Sequence, residues 1–239
     1  MQDLVNKTVL ITGGSKGIGF GIAEALLAEG MRVAITSRSQ KAADEAVSKL
    51  EKLGKGEIIG IEADVRSLAS QENAVSKVID RFGKLDVVIA NAGIGHFASI
   101  EDLTEEQWQE TIDTNLSGVF FSIKAGLKSL KDSKGYFITI SSLAGTNFFA
   151  NGSAYNASKF GVTGFSQAVM LDLRKHGIKV STIMPGSVAT YFNDHQPSDA
   201  DAWKIQIEDL GQMVVDLLNM NPRTLPSKIE VRPTMPPSA

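Results

Sequence analysis

Residues 8–19 of the 239-residue chain read TVLITGGSKGIG, a short β-branched run that leads directly into a glycine cluster. The segment that follows carries apolar residues at helical spacing as far as Gly30, which suits the end of a helix. A tight turn that merely requires glycine is the simpler interpretation of such a cluster on its own. Its place between a strand and a helix favours a dinucleotide site instead, because glycines let the backbone approach a pyrophosphate at the helix N-terminus. The loop residues predicted to line this site are Gly13, Ser15, Lys16, Gly17, Ile18 and Gly19.

Short β-branched runs alternate with longer amphipathic segments along the chain. Strands are predicted at 8–12, 32–36, 57–61, 85–90, 136–140 and 178–183, with a possible edge strand at 228–232. The helices expected between and after them include 40–53, 105–130, 154–175 and 209–220. This alternation predicts an α/β fold, a doubly wound Rossmann-type parallel sheet of about seven strands with helices on both faces. We expect residues 1–239 to form a single domain, with a proline-rich tail at 222–239.

Composition excludes several classes of function. The chain has no cysteine, which removes disulfides, thiolate zinc sites and cysteine nucleophiles and suits a reducing compartment. With a net charge of −3, the chain has no excess of positive charge with which to bind nucleic acid or an anionic membrane. No apolar run is long enough to span a bilayer. The three histidines have no metal-ligand spacing. We therefore expect a cytoplasmic protein that binds no metal, nucleic acid or membrane.

The end of the second predicted strand bears on coenzyme choice. Sites that bind a free ribose 2′-hydroxyl place a carboxylate there, whereas this chain has Ser37 and Arg38. Arg38 offers a planar fork for a phosphate and Lys16 a second cation, so the pair favours NADP(H), although Arg38 could instead be a solvated loop cation. Asp64 and Val65, after the third strand, could lie against the adenine. A capping or turn role for Asp64 is nearly as good an interpretation.

Tyr155 and Lys159 are four residues apart on a predicted helix, so they share one face. A lone pair of this kind is weak evidence, but this one begins the helix after the fifth strand, at the carboxyl edge of the sheet. Tyrosine ordinarily ionises at about pH 10, and a nearby ammonium lowers the pKa of a phenol toward useful acid–base work. Ser142 or its neighbour Ser141, at the end of the fifth strand, can hydrogen-bond a substrate carbonyl.

Seven motifs in order carry a family resemblance. They are TGGSKGIG (12–19), DV (64–65), ANAG (90–93), TNLSG (114–118), ISSLAG (140–145), YNASK (155–159) and PGSVAT (185–190). With them the chain resembles the short-chain dehydrogenases/reductases of the single-domain type, from about residue 5 to 190 and on to about 232. Two features depart from the family pattern. Ala90 stands where the family usually has a first asparagine, and the C-terminal stretch LPSKIEVRPTMPP replaces the usual Val-Asp-Gly-Gly-like ending.

The resemblance implies an NADP(H)-dependent oxidoreductase that interconverts a small-molecule carbonyl and a secondary alcohol by hydride transfer. It selects Ser142 over Ser141 as the catalytic serine, beside Tyr155 as general acid/base and Lys159. It also gives Asn115 the task of holding a water that links Lys159 to solvent, where composition alone indicates only a polar residue in mid-helix. The further coenzyme contacts that it implies are Asn91, Ala92, Gly93, Tyr155, Lys159, Pro185, Gly186, Val188 and Thr190.

Two alternative functions stay open. A 3-oxoacyl-carrier-protein reductase would need a basic docking patch that the sequence does not display. A non-catalytic NADP(H)-binding redox sensor would have no need of the four catalytic residues. The resemblance also implies a homotetramer or homodimer built on helices 105–130 and 154–175. The aromatic residues of the two loops that should flank the nicotinamide hint at an apolar substrate or simply anchor their loops; they are Phe148, Phe149, Tyr191 and Phe192.

Overall fold

Seven parallel strands form one sheet in the computed structural model, which describes residues 4–236. In chain order they are β1 (Thr8–Ile11), β2 (Arg32–Ser37), β3 (Ile58–Glu62), β4 (Val87–Ala90), β5 (Tyr136–Ile140), β6 (Lys179–Pro185) and β7 (Lys228–Val231). Their order across the sheet is β3-β2-β1-β4-β5-β6-β7, so the chain reverses its direction of winding between β1 and β4. Ligands of such sheets bind outside the carboxyl ends of the strands at this point of reversal. The predicted Rossmann-type sheet is confirmed.

Helices cover both faces of the sheet. They are α1 (Gly17–Ala28), α2 (Gln40–Leu50), α3 (Leu68–Phe82), α4 (Glu105–Ile112), α5 (Gly118–Ser133), α6 (Ser153–Leu173) and α7 (Ile207–Asn219). One apolar core contains buried residues of α1, α2 and α7, and a second contains those of α3, α5 and α6. Every residue of β1, β4 and β5 is buried, since a parallel sheet with helices on both faces leaves neither face to water.

The expected single helix over 105–130 is wrong at its centre. A π-helical turn at Asp113–Ser117 separates α4 from α5. A π turn contains one more residue than an α turn and often occurs at functional sites. The apolar residues on either side of it keep their 3.6-residue spacing. Periodicity therefore predicts one continuous helix and reports nothing about the irregular turn, which carries Asn115.

The possible last strand is present as β7, paired in parallel with β6 from Thr182 opposite Lys228 to Pro185 opposite Val231. Its side chains are alternately exposed and half-buried, as expected at an edge of the sheet. The ends of the expected domain and tail, residues 1–3 and 237–239, lie outside the described residues. No helix within residues 4–236 has the length and apolar character needed to cross a membrane.

Candidate active site

The glycine loop at the carboxyl end of β1 is fastened to the end of β4. The Asn91 side-chain amide donates to the carbonyl oxygens of Thr12 and Gly13 at 2.9 and 3.0 Å, and the Thr12 hydroxyl accepts from the backbone N–H groups of Asn91 and Ala92 at 3.0 and 3.1 Å. Gly13 has φ +65°, and a Cβ there would lie 2.9 Å from the Ala92 Cα. Asn91 and Ala92 thus support the loop from behind.

The loop leaves a cradle at the start of α1. Gly17 has φ +60°, and a Cβ at Gly19 would lie 2.5 Å from the Asn91 amide nitrogen and 2.7 Å from the Gly13 carbonyl oxygen. Beside Gly17 lies a cavity of about 220 Å³, which is also lined by Ala189, Thr190 and Tyr191 and by Ile207 and Glu208 at the start of α7. The unpaired N–H groups of a helix N-terminus attract anions. Glycine backbone, helix N-terminus and open space together fit the pyrophosphate of a dinucleotide.

The residues predicted to bind the adenosine phosphate lie beside this loop. The Ser15 hydroxyl is 3.4 Å from that of Ser37, at the carboxyl end of β2. The Arg38 side chain is 63% exposed, and its guanidinium lies 3.8 Å from the Glu110 carboxylate on α4. Lys16 is exposed at the entrance to α1. Ser37, Arg38 and Lys16 thus lie beside the glycine loop, at the carboxyl edge of the sheet.

A polar network that sequence reasoning missed adjoins Arg38. Arg66 donates to the Asp64 carboxylate at 2.7, 3.0 and 3.1 Å, and this hydrogen-bonded pairing holds the pKa of Asp64 below its usual range. Arg66 also lies 3.9 Å from Glu110, whose second carboxylate oxygen is 2.9 Å from the His96 ring nitrogen. The Asp64 carboxylate also accepts from the Arg66 backbone N–H at 2.9 Å, a contact of the turn role considered from sequence, and Val65 beside it is buried.

Ser142, Tyr155 and Lys159 converge at the carboxyl end of β5. Ser142 lies two residues after the strand, and its hydroxyl is near enough to that of Tyr155, in the first turn of α6, to lower the tyrosine pKa. Lys159, one turn later, is only 5% exposed and donates its ammonium hydrogen to the Ile140 carbonyl at 3.1 Å. Ser141 instead donates to the Lys159 carbonyl oxygen at 3.1 Å. Of the two serines, Ser142 is the one directed at the tyrosine.

The pKa shifts of Tyr155 and Lys159 differ from those expected from the sequence. Burial raises the pKa of the Tyr155 hydroxyl, and the nearby Ser142 hydroxyl opposes that rise. Burial also lowers the pKa of Lys159 to about 8. The Lys159 nitrogen lies 5.6 Å from the centre of the Tyr155 ring and is bonded to a backbone carbonyl. In the protein alone, desolvation therefore outweighs the predicted acidifying effect of the ammonium.

Asn115 is 1% exposed and joins three segments around the lysine. Its carbonyl oxygen accepts from the Ile94 N–H at 2.8 Å, and its amide donates to the Ile94 carbonyl at 2.9 Å and to the Ser158 hydroxyl at 3.0 Å. A Cβ at Gly93 would lie 3.3 Å from the Asn115 oxygen and 3.6 Å from the Lys159 nitrogen. Asn115 thus fixes the loop after β4 against α6, a few ångströms from the buried amine.

The end of β6 and the segment after it lie between the Ser142 loop and the glycine loop. The Pro185 carbonyl accepts from Ser142 at 3.4 Å, and the Gly186 N–H donates to Val231 of β7 at 2.8 Å. Val188 pairs with Ile205 in an isolated bridge, and Thr190 faces Gly17 across a gap of 3.6 Å, measured from a Cβ placed on the glycine. The predicted nicotinamide contacts therefore connect the serine loop to the glycine loop.

Phenylalanine rings surround the tyrosine, and one of them, Phe97, was missed from sequence. Its ring centre lies 5.3 Å from that of Tyr155, and the Phe192 ring centre lies 5.7 Å from it. Phe149 packs 5.8 Å from Phe97, whereas Phe148 is 86% exposed. Within residues 4–236, no cluster of three or more His, Asp or Glu side chains could hold a metal ion.

The sequence is similar to those of known proteins over most of its length. The sequence model described as short chain dehydrogenase matches residues 7–201. A protein named 3-oxoacyl-(acyl-carrier-protein) reductase from Synechocystis sp. is 35% identical over 214 residues, which cover 89% of this chain and 86% of that protein. Sepiapterin reductase from Chlorobaculum tepidum is 32% identical over 233 residues, covering 95% and 96%.

Solved structures agree with the sequence matches. An alcohol dehydrogenase from the archaeon Thermococcus sibiricus, complexed with 5-hydroxy-NADP, superposes with a TM-score of 0.90 at 29% identity, covering 98% of this chain and 99% of that one. Fold, site geometry and sequence similarity over most of the chain therefore have one explanation. The chain belongs to the short-chain dehydrogenase/reductase family, whose oxidoreductases interconvert carbonyl and alcohol groups.

Proposed function

We propose that this chain is an NADP(H)-dependent oxidoreductase that interconverts a small-molecule carbonyl and a secondary alcohol, with Tyr155 as the general acid/base. The observation that carries the proposal is the convergence of Ser142, Tyr155 and the buried Lys159 at the carboxyl edge of the sheet. Carboxyl edges near a reversal of strand order are where ligands of this fold bind. A location in the cytoplasm belongs to the same proposal, since a chain without cysteine suits a reducing compartment.

The catalytic residues divide the work between orientation and proton transfer. Bound nicotinamide coenzyme supplies the hydride in reduction and accepts it in oxidation. Ser142 hydrogen-bonds the substrate oxygen and so orients the carbonyl beside the phenol. Tyr155 gives its proton to that oxygen in reduction and takes it back in oxidation. Lys159, with a pKa of about 8, can return a proton to the tyrosine, and Asn115 holds the path from the lysine toward solvent.

The coenzyme contacts follow the loops already described. In the glycine loop, the proposed contacts are Gly13, Ser15, Lys16, Gly17, Ile18 and Gly19. The others are Ser37 and Arg38 at the adenosine phosphate, Asp64 and Val65 at the adenine, Asn91–Gly93 at the ribose, Tyr155 and Lys159 beside the nicotinamide ribose, and Pro185, Gly186, Val188 and Thr190 at the nicotinamide. Arg38 is the member that favours NADP(H) over NAD(H), because its guanidinium is exposed and only loosely paired with Glu110.

We expect Arg38→Asp to reverse or abolish the preference for NADPH. Hydrogen bonds to charged groups contribute about 1.5–3 kcal/mol, so the ratio of the NADPH and NADH dissociation constants should shift by about 10- to 100-fold toward NADH. Fluorescence titration of the two reduced coenzymes measures this ratio without turnover. Arg223→Asp, the same charge change at an exposed residue after α7, is the control and should leave the ratio unchanged. An unchanged ratio in Arg38→Asp would show that this arginine does not bind the phosphate.

The relative named as a 3-oxoacyl-carrier-protein reductase makes an acyl thioester the second candidate substrate. A panel of ketones, aldehydes, quinones and 3-oxoacyl thioesters, followed by NADPH oxidation, separates the candidates. Turnover confined to the thioesters would favour the acyl-carrier reductase. Tight NADPH binding with no turnover on any member of the panel would favour the redox sensor.

We also propose that α5 and α6 associate in a homodimer or homotetramer. Apart from Asp172 near its C-terminal end, the exposed positions of α6 are uncharged, namely Ser153, Ala157, Phe160, Gly164, Ala168 and Leu171. On α5, Phe120 is 42% exposed beside this helix and packs 6.2 Å from Phe165, ring centre to ring centre. Contiguous apolar surface of this kind is typical of protein interfaces.

Gly164→Glu should dissociate such an assembly without harming the subunit. A Cβ at Gly164 would meet nothing within 4 Å, and glutamate is a better helix former than glycine by roughly 0.5–1 kcal/mol, so the isolated subunit should be at least as stable. Mass by light scattering should fall to that of one chain. Ser76→Glu, on the exposed side of α3, provides the matched added charge and should leave the mass unchanged. An unchanged mass in Gly164→Glu would place the interface elsewhere.

A further inference from the structure

Three phenylalanines from three separate loops form a wall around the ring of Tyr155. Phe97 follows β4, Phe149 precedes α6 and Phe192 follows β6, and we refer to these three rings as the aromatic wall. Phe97 stands edge-on to the Tyr155 ring at 5.3 Å between centres, and Phe192 lies 5.7 Å from it. Phe97 also connects the other two, at 5.8 Å from Phe149 and 6.3 Å from Phe192.

The backbone is built to bring these rings together. A Cβ at Gly95 would lie 2.7 Å from the Phe192 ring and 2.9 Å from the Phe97 ring. At Gly152 it would lie 2.5 Å from the Phe149 ring. Any side chain at either glycine would therefore push a ring of the wall out of place.

The wall keeps a large apolar surface in water. Its three rings are 39%, 48% and 37% exposed for Phe97, Phe149 and Phe192. Burying apolar surface contributes roughly 25 cal/mol per Å², so three partly exposed rings at one place favour an apolar ligand. Edge-to-face and offset contacts between aromatic rings add about 0.5–1.5 kcal/mol beyond that burial.

Three of the described titratable side chains near the wall are bound to other partners. His96, adjacent to Phe97, is 2.9 Å from the Glu110 carboxylate. His195, three residues after Phe192, is 2.7 Å from the Asp201 carboxylate, which also pairs with Lys204 at 2.6 Å. Lys159 donates to the Ile140 carbonyl behind the tyrosine. Because these side chains are paired, the aromatic rings form the surface that a substrate would contact at the wall.

We propose that the site takes aryl ketones and the corresponding aryl secondary alcohols, with the aryl group held by the aromatic wall; this rests on the proposed function. In reduction, the carbonyl carbon gains a hydride, with its two electrons, from the reduced nicotinamide coenzyme, which is thereby oxidised. The carbon–oxygen π bond breaks as its oxygen gains the Tyr155 proton. The product is the secondary alcohol, and the tyrosine is reprotonated from solvent through Lys159.

A matched pair of ketones tests the substrate class. Acetophenone and cyclohexyl methyl ketone have the same carbon skeleton and differ in aromaticity, and 4-acetylbenzoate adds a charge to the aryl ring. We expect the ratio of kcat/KM for acetophenone over its cyclohexyl analogue to fall about 3- to 10-fold in each of Phe97→Leu, Phe149→Leu and Phe192→Leu. We expect 4-acetylbenzoate to be a poor substrate of the unmodified protein. Phe148→Leu is the matched control, since that ring is 86% exposed beside Phe149, and should leave the ratio unchanged.

A binding measurement removes the dependence on turnover. Calorimetry of 1-phenylethanol and 1-cyclohexylethanol should show tighter binding of the aryl alcohol to the unmodified protein, with the difference lost in Phe97→Leu but kept in Phe148→Leu. Binding without a preference for the aryl alcohol, or a kcat/KM ratio that none of the three wall variants changes, would overturn the inference. Reduction of aliphatic ketones as efficiently as aryl ketones would overturn the aryl site but not the proposed oxidoreductase function. Selective binding of the aryl alcohol with no turnover of any ketone would support the aryl site and overturn the proposed oxidoreductase function.

Discussion

Tyr155→Phe is expected to lower kcat for carbonyl reduction by about 10²- to 10⁴-fold, the usual contribution of a positioned general acid. The substitution removes the hydroxyl near Ser142 and leaves the ring that packs against Phe97 and Phe192. Because the aromatic contacts remain, the dissociation constant of NADPH should change by less than about threefold. Stopped-flow or steady-state NADPH oxidation gives kcat, and fluorescence titration gives the dissociation constant.

Tyr136→Phe is the control for this substitution. The Tyr136 hydroxyl is also buried, lies 2.7 Å from the Ser181 hydroxyl, and has its pKa raised by burial, so the same atom is removed from a comparable setting. Its loss should cost about 1 kcal/mol of stability and leave kcat unchanged. A Tyr155→Phe protein that retained more than a tenth of the turnover of the unmodified enzyme would discard Tyr155 as the acid/base.

The sheet and the glycine loop were predictable because their signals are local. A β-branched run four or five residues long, a glycine cluster and an apolar helical stripe each lie within a short window, and burial on both faces makes the strands uniformly apolar. Thr8–Ile11 and Tyr136–Ile140 show this most clearly, since every residue in both is buried. Right-handed crossovers then limit the orders in which the strands can lie across the sheet.

The parts of the site that escaped prediction depend on contacts between distant residues. Phe97 joins the aromatic wall through partners at 149, 155 and 192, and Arg66 joins Arg38 only through Glu110 on another helix. The choice of Ser142 over Ser141 needed the family resemblance, because adjacent residues at a strand end point opposite ways and the sequence does not say which faces the helix. The π turn at Asp113–Ser117 also escaped prediction, because the apolar spacing on either side of it is that of a continuous α-helix.

Lys159→Met is expected to abolish most turnover and at the same time to stabilise the fold. The amine is 5% exposed, and the described residues offer it a backbone carbonyl rather than a carboxylate. Burial lowers its pKa from 10.5 to about 8, so the folded protein binds the proton less tightly than the unfolded chain does. At pH 7 both states are protonated, and the difference amounts to a cost of roughly 3 kcal/mol. An apolar side chain of similar length removes that cost and loses only one hydrogen bond.

The pH dependence separates this explanation from simple repacking. Where the unfolded chain binds more protons, stability rises with pH, so the cost of the amine should shrink between about pH 8 and 10.5 and be smaller by about 2 kcal/mol at pH 9.5 than at pH 7. Urea unfolding of both proteins at the two pH values gives the difference in free energy, which should narrow by that amount. Coenzyme titration and kcat complete the comparison, with kcat expected to fall by at least about 10²-fold. A stability gain that is the same at both pH values would mean that the buried charge is not its source, and a loss of stability at pH 7 would mean that the Ile140 hydrogen bond outweighs the desolvation of the amine.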